Sequence, residues 1–206
     1  TSKVIERNLR KFPINNLEEE ILNGALILDV RSGNDFEQGF IKSSINITKT
    51  FQSFATWVGA VIPFNKNIII VCYPGEEEEV VSRLARVGYE NILGIITDFD
   101  AVEPNKINKI NSIHPEKMFS SNFSDAIFLD VRKPIELETV GKVDGSINIR
   151  LQELSDNLSN LDPEKNYLVY CAGGYRSMIA SSILKSNSFN FVYNIYGGFN
   201  CMRNYL

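Results

Sequence analysis

The chain alternates between short, continuous runs of apolar residues and longer stretches in which apolar and charged residues mix. Four of the apolar runs lie at positions 25–30, 68–72, 126–131 and 167–171. They are rich in Ile, Val and Leu without polar alternation, which is typical of parallel strands covered on both faces. Amphipathic stretches at 76–86 and 177–185 follow two of these runs and indicate helices. The pattern predicts an α/β fold, in which a mostly parallel central sheet has helices on both faces.

The same pattern occurs twice along the chain. Residues 25–31 (ALILDVR) return as residues 127–132 (IFLDVR), with 101 positions between the two Asp-Val-Arg motifs. The apolar run before Cys72 likewise returns before Cys171, 99 positions later. A solenoid repeat has about 20–50 residues, so a period near one hundred indicates a duplicated domain in which each copy has its own core.

Composition agrees with two domains. The chain has 206 residues, of which 44% are apolar and 22% charged, enough for two compact cores. Polar residues collect around positions 101–111, where Glu103-Pro104-Asn105 interrupts the pattern. We therefore expect domains at residues 1–103 and 104–206, joined by a linker around residues 101–111.

Charge and apolar content argue against several classes of partner. The net charge is −4 and the basic residues are scattered, so nothing favours binding to nucleic acid or to an anionic membrane. No apolar stretch approaches the roughly 18 residues of a membrane span, and the amino terminus lacks a signal-peptide core. Three cysteines, an odd number, do not suggest a disulfide framework. We expect a cytoplasmic protein.

The most informative segment is the loop at 169–177 (VYCAGGYRS). An apolar run leads to Cys171, two glycines follow, and a helix-like stretch begins after Arg176. Backbone N–H groups of a tight loop, together with the positive end of the following helix, stabilise negative charge at one point. A thiol at that point should ionise readily, and the thiolate is the nucleophilic form. The sequence therefore indicates that Cys171 is a nucleophile.

Four motifs in order resemble the rhodanese-type sulfurtransferase family. In chain order they are the strand at 127–132 that ends in Asp-Val-Arg, the segment 141–149 (GKVDGSINI), the loop at 169–177, and the closing strand and Gly-Gly turn at 192–199 (VYNIYGGF). The segment 141–149 departs from the family's pattern at Lys142 and Asp144, where His and Pro are frequent, and Val140 reads as a one-residue insertion. The resemblance implies two tandem rhodanese-like domains.

The resemblance also implies a reaction. Cys171 would take sulfane sulfur from thiosulfate or a persulfide and pass it, as a cysteine persulfide, to a thiol or cyanide acceptor. Arg176 would attract the anionic donor, although an ion pair that holds the loop to a helix is an equally good reading. The residues expected to bind the substrate are Ala172, Gly173, Gly174, Tyr175, Arg176 and Ser177.

This mechanism needs no cofactor and no metal ion. The single histidine of the chain excludes a multi-histidine metal site. A thiol stabilised by backbone amides also needs no histidine base. Asp130 and Arg132 are expected to tie the end of their strand to neighbouring loops rather than to contact substrate.

The first copy of the loop lacks the chemistry of the second. Glu77 stands where the second copy has Arg176, within a run of four glutamates at 76–79, and Pro74 removes an amide from the loop. Acidic residues suit the first turn of a helix, but they would disfavour a Cys72 thiolate and repel an anionic donor. We expect the first domain to be degenerate and catalytically inactive.

Two alternatives to a sulfurtransferase remain at this stage. Related phosphatases have five residues between the cysteine and arginine of the loop, whereas four separate Cys171 from Arg176, which disfavours a phosphatase. The stronger alternative is a non-catalytic or regulatory sulfur-binding module of a larger persulfide-metabolising protein. Tandem rhodanese units resemble the carboxyl-terminal part of proteins that begin with a metallo-β-lactamase-like persulfide dioxygenase domain. Such a domain would lie outside this chain, ahead of Thr1.

Overall fold

The computed structural model describes residues 7–50 and 52–206. The chain forms two compact units, Thr1–Lys109 and Ile110–Leu206. Each unit has its own sheet and its own buried apolar cluster. The predicted duplication therefore corresponds to two separate cores.

The first unit is built around a parallel sheet. Its strands are β1 (Leu26–Asp29), β2 (Phe40–Ile41), β3 (Ser44–Asn46), β4 (Ile68–Val71), β5 (Ile92–Ile96) and β6 (Ile107–Asn108). Its helices are α1 (Leu17–Leu22), α2 (Gly33–Gln38), α3 (Phe54–Val61) and α4 (Glu77–Ala85). Four strands pair in parallel in the order β3-β1-β4-β5, and β2 pairs with β6 in an antiparallel ribbon.

The second unit repeats this arrangement. Its strands are β7 (Asn111–Ile113), β8 (Ile127–Asp130), β9 (Ile147–Asn148), β10 (Tyr167–Tyr170) and β11 (Val192–Ile195). Its helices are α5 (Pro134–Val140), α6 (Tyr175–Ser186) and α7 (Gly198–Met202). All its strands are parallel, in the order β7-β11-β10-β8-β9. The predicted α/β fold, with mostly parallel sheets and helices around them, is confirmed.

The predicted apolar runs coincide with the central strands. Runs 68–72 and 167–171 contain β4 and β10, whose residues are all buried. Each of these strands has a parallel neighbour on both sides, so its backbone groups are satisfied by the sheet and its side chains face packed layers. The cysteine that follows each run therefore lies at the carboxyl end of an inner strand, where α/β sheets place their ligand sites.

An Asp-x-Arg clip closes the end of β8 in the second unit. The Arg132 guanidinium donates from Nη2 to Asp130 Oδ2 at 2.6 Å and to the carbonyl oxygen of Gly141 at 2.9 Å. Asn148 donates from Nδ2 to the carbonyl oxygens of Asp130 and Arg132. Both Asp130 and Arg132 are fully buried. As expected from the sequence, they tie the strand end to the following loop.

The first unit has the same clip at the end of β1. Arg31 donates to Asp29 Oδ2 at 2.6 Å and to the carbonyl oxygen of Gly39 at 2.8 Å, and Asn46 donates to the carbonyl oxygens of Asp29 and Arg31. Each contact has its counterpart in the second unit. The duplication seen in the sequence thus extends to individual hydrogen bonds.

The boundary between the units lies between Lys109 and Ile110, six residues later than the sequence placed it. The reason is β6, which pairs Ile107 with Ile41 and Asn108 with Phe40. Residues after 103 are thereby held in the first unit, where the sequence pattern had indicated a linker.

Candidate active site

The Cys171 loop connects the inner strand β10 to helix α6. Cys171 directly follows β10, and Gly174 precedes the first residue of α6 with a φ of 102°. This left-handed conformation is costly for residues with a Cβ, so Gly174 is required by the turn. Gly173 is exposed, its φ lies outside that region, and a Cβ there would meet nothing within 4 Å. Only one of the two glycines is therefore needed for the conformation of the loop.

The Cys171 sulfur has two polar neighbours in the loop and in α6. The Gly174 amide donates to Sγ across 3.1 Å, and Ser177 Oγ lies 3.6 Å from Sγ. Gly174 belongs to the N-terminal end of a twelve-residue helix, where backbone N–H groups point away from the helix and favour negative charge. Sγ thus lies where an amide and a hydroxyl can both stabilise an anion.

Ser177 is fully buried, and its hydroxyl lies in a short chain of polar contacts. Its Oγ lies 2.7 Å from Asn194 Oδ1 and 3.0 Å from the carbonyl oxygen of Gly174. Asn194, on β11, in turn donates from Nδ2 to Ser112 Oγ across 3.2 Å. The single proton of the Ser177 hydroxyl can be directed to these oxygens while the thiol is protonated, and to Sγ once it is ionised.

The closing Gly-Gly turn holds the loop from the other side. Phe199 N donates to the carbonyl oxygen of Cys171 across 2.7 Å, and Asn200 N donates to that of Ala172 across 3.0 Å. A Cβ on Gly198 would lie only 2.3 Å from the Cys171 carbonyl oxygen. The glycine is needed here because helix α7 begins directly against the cysteine backbone.

Arg176 is engaged in an ion pair. Its Nη1 and Nη2 donate to the two carboxylate oxygens of Glu136 on α5, each across 2.7 Å. The hydrogen bonds from Arg176 are the main reason that the pKa of Glu136 falls to about 2. Of the two roles that the sequence allowed for Arg176, the structure shows the ion pair that ties the loop region to a helix.

Two members of this site were not found by sequence analysis. Glu136 is 40 positions from its partner, and nothing in the local pattern of α5 indicates that it faces the loop. Asn194 did leave a signal, because a lone amide interrupts the apolar residues of β11, and a buried polar residue in an inner strand needs a partner.

Sequence comparison gives the family of both units. The model of the rhodanese-like domain matches residues 14–102 and again residues 116–203. The chain belongs to the rhodanese-like family. Both rhodanese-like domains fall within the two structural units, one in each.

Individual relatives match parts of the chain. The chain is 29% identical over 130 residues to the rhodanese-like/PpiC domain-containing protein 12 of Arabidopsis thaliana, which covers 61% of this chain and 42% of that protein. It is 34% identical over 80 residues to the tRNA uridine(34) hydroxylase of Erwinia tasmaniensis, covering 36% of this chain and 23% of that protein. The chain thus spans less than half the length of either relative.

Among solved structures, the chain is similar to the rhodanese-related protein of Thermoplasma volcanium. The identity is 33%, the TM-score is 0.43, and the match covers 46% of this chain and 92% of that one.

The corresponding cysteine of the first rhodanese-like domain lies in a different electrostatic environment. Cys72 is 2% exposed and Cys171 is 1% exposed, so solvent exposure does not distinguish the two thiols. The pKa of Cys72 is raised to about 12. Burial is the largest cause, and the carboxylates of Glu77 and Glu76 add to it. Cys72 therefore stays a neutral thiol at physiological pH.

The acidic run beside Cys72 forms the start of α4. Glu77, Glu78 and Glu79 lie in its first turn, where carboxylates favour the helix dipole. Lys49 contacts Glu76 across 3.2 Å and Glu79 across 2.6 Å. The run is thus tied to the first domain by its own ion pairs.

The first domain nevertheless has an open cleft beside its loop. Its volume is about 780 Å³, and its lining includes Cys72, Tyr73, Pro74, Arg31 and Phe99. The cleft is lined by a thiol that is neutral at physiological pH, so space alone does not make this loop equivalent to the Cys171 loop.

The described part of the chain has neither a metal-binding cluster nor a membrane-spanning helix. Within residues 7–50 and 52–206, no group of three or more His, Cys, Asp and Glu side chains is arranged to hold a metal ion. None of the helices in this part of the chain has both the length and the apolar character needed to cross a membrane.

Proposed function

We propose that the protein is a sulfurtransferase that moves sulfane sulfur from thiosulfate or a persulfide to a thiophilic acceptor through a persulfide on Cys171. The observation that carries the proposal is the Gly174 amide, 3.1 Å from Sγ at the amino end of α6. Family membership supports sulfur chemistry in general. The amide and the helix end supply the means to hold a sulfur anion without a base.

The transfer is a pair of nucleophilic displacements. The Cys171 thiolate attacks the terminal sulfur of thiosulfate, the S–S bond of the donor breaks, and sulfite leaves with its electron pair. The product is a Cys171 persulfide anion, so total charge is conserved. A thiol or cyanide then attacks the outer sulfur and restores the thiolate. The Gly174 amide and the Ser177 hydroxyl lie beside Sγ, which carries the negative charge before sulfur is taken up and again when it is released, whereas the persulfide carries its charge on the outer sulfur.

The residues of the loop have different roles in this proposal. Cys171 carries the sulfur, the amide of Gly174 and the hydroxyl of Ser177 stabilise its charge, and Arg176 lies at the rim in its ion pair with Glu136. Ala172, Gly173 and Tyr175 complete the loop around the incoming donor. Four residues separate Cys171 from Arg176, and this short loop fits one sulfur atom better than a phosphate.

The first rhodanese-like domain is catalytically inactive in this proposal. The neutral Cys72 thiol and the glutamate at the position of Arg176 support this assignment. Activity should therefore depend on Cys171 alone.

The test is formation of thiocyanate from thiosulfate and cyanide by the full chain. We expect turnover in the wild type and in Cys72→Ser, and none in Cys171→Ser. Turnover that persists in Cys171→Ser, or is abolished by Cys72→Ser, would contradict the assignment of the site.

A second candidate is a sulfur-binding module within a longer protein. The observation in its favour is that the chain spans only 42% and 23% of the two relatives described above. This candidate predicts that Cys171 accepts sulfur but does not turn over with cyanide. The thiocyanate assay therefore separates it from the sulfurtransferase.

A further inference from the structure

The charge of Arg176 is neutralised at the mouth of the Cys171 loop. Both terminal nitrogens of its guanidinium donate to the Glu136 carboxylate across 2.7 Å. The two side chains are partly shielded, at 17% and 28% exposed. Paired, parallel hydrogen bonds of this kind are the strongest arrangement between arginine and a carboxylate. The ion pair has no net charge, so an anionic donor meets little attraction there.

The Glu136 carboxylate is anchored independently of Arg176. Its Oε2 accepts a hydrogen bond from Lys133 N across 3.0 Å, as part of a capping box at the start of α5. The carboxylate therefore stays in place without Arg176, and Arg176 has to break both hydrogen bonds to it before it can bind another anion. An incoming donor has to compete with a fixed internal anion.

We propose that Glu136 is a specificity-determining positioning residue, which disfavours dianionic thiosulfate and makes a persulfide of low charge the preferred sulfur donor. This inference rests on the proposed function, in which Cys171 carries sulfane sulfur. Glu136 acts through Arg176 and does not contact the donor itself.

The argument depends on the charges that meet in the transfer. Thiosulfate carries two negative charges and the attacking Cys171 thiolate carries one, so their approach needs a nearby cation. A persulfide with an uncharged organic group carries at most one. In its reaction the Cys171 thiolate attacks the outer sulfur of R–S–SH, the donor S–S bond breaks, and R–S⁻ leaves while the proton stays on the transferred sulfur. Like charges in partly buried sites repel more strongly than in water, so the dianion is the more affected donor.

The substitution that isolates this effect is Glu136→Gln. Glutamine keeps the length of the side chain and an oxygen for the Lys133 amide, but removes the charge that neutralises Arg176. The matched control is Glu138→Gln on the same helix, because Glu138 is exposed and no ion pair to it is found among the described residues. Glu136→Asp keeps the charge and should retain much of the wild-type selectivity.

The experiment compares steady-state kinetics with thiosulfate and with the persulfide of 2-mercaptoethanol. In the wild type we expect the higher kcat/KM with the persulfide. In Glu136→Gln the KM for thiosulfate should fall by roughly tenfold, corresponding to about 1.4 kcal/mol, with kcat little changed. The KM for the persulfide should stay within about twofold, and Glu138→Gln should resemble the wild type.

Three other outcomes would contradict the proposed role of Glu136. If Glu136→Gln changes the KM values for both donors by the same factor, so that their ratio stays as in the wild type, Glu136 does not determine specificity. The proposed function would remain intact. If Glu136→Gln does not fold, a wild-type kcat/KM that is equal for both donors or higher for thiosulfate would overturn the role of Glu136 as well. If neither donor places sulfur on Cys171 of the wild type, both the proposed function and this inference are wrong.

Discussion

A Cβ atom on Gly198 would lie 2.3 Å from the carbonyl oxygen of Cys171. The turn that closes the second domain therefore packs directly against the backbone of the proposed nucleophile. The φ of 54° at Gly198 adds a second reason for glycine at this position. Together they link the Gly-Gly motif, near the end of the chain, to the geometry of the Cys171 loop.

We predict that Gly198→Ala destabilises the second domain and impairs sulfur transfer. The close approach and the positive φ should together cost about 2 kcal/mol or more. Urea denaturation measures the loss of stability, and the thiocyanate assay measures activity. Gly59→Ala is the matched control, since Gly59 lies inside α3 and a Cβ there meets nothing within 4 Å. A Gly198→Ala protein as stable as Gly59→Ala would contradict the packing described here.

The Ser177 hydroxyl should matter for reactivity. Ser177→Ala removes a polar neighbour 3.6 Å from Sγ, so we expect sulfur transfer at neutral pH to slow by about tenfold, corresponding to a lost hydrogen bond to a charged group. Single-turnover transfer from thiosulfate to Cys171 is the measurement.

Ser181→Ala is the control for this prediction. Ser181 lies on the same helix, is equally buried, and its hydroxyl has no hydrogen-bond partner within the described part of the chain. Its loss should leave the rate unchanged. Equal rates in the two variants would show that the Ser177 hydroxyl does not act on the sulfur.

The ion pair between Glu136 and Arg176 should stabilise the folded protein at neutral pH and lose this effect in acid. The pKa of Glu136 is lowered in the folded protein from 4.5 to about 2, so the contribution is complete above pH 4.5 and is lost as the pH falls towards 2. At neutral pH we expect Glu136→Gln to be less stable than the wild type by about 1 kcal/mol. Urea denaturation of both proteins across this range should show the difference shrinking on acidification. A constant difference would mean that the carboxylate charge is not involved.

The stability that depends on the buried Cys72 thiol should be lost at high pH, whereas that of the Glu136–Arg176 ion pair is lost at low pH. Its pKa is raised in the folded protein from 9.0 to about 12, so the neutral thiol is favoured by folding. The associated stability is present below pH 9 and is lost as the pH rises towards 12. We expect the wild type to lose more stability than Cys72→Ser over this interval. Parallel losses in urea denaturation would contradict the buried, neutral state of this thiol.

Features carried by local pattern were predictable from the sequence. The inner strands β4 and β10 are continuous apolar runs, and only strands covered on both faces need such runs. The repeated Asp-Val-Arg motifs identified the duplication, because both copies form the same clip to a loop carbonyl oxygen. The Cys171 loop was recognisable because its glycines lie between a strand and a helix.

Features that depend on long-range contact were not predictable. Glu136 contacts Arg176 because α5 and α6 follow two neighbouring strands of the sheet, β8 and β10, and the separation of 40 residues along the chain does not indicate this contact. The domain boundary lies after Lys109 rather than after residue 103, because two residues of β6 pair with β2, more than sixty positions earlier in the chain. Even Gly173, which looks equivalent to Gly174, has no special conformation in the folded loop.

The most direct test of the sulfurtransferase proposal is the mass of the peptide that contains Cys171 after the full chain has been incubated with thiosulfate or with the persulfide of 2-mercaptoethanol. We predict a gain of one sulfur atom on Cys171 with at least one donor, reversed by cyanide, and no such gain on Cys72. An unmodified Cys171 with both donors, or sulfur found on Cys72 instead, would contradict the claim that the Gly174 amide and α6 hold a sulfur anion at this position.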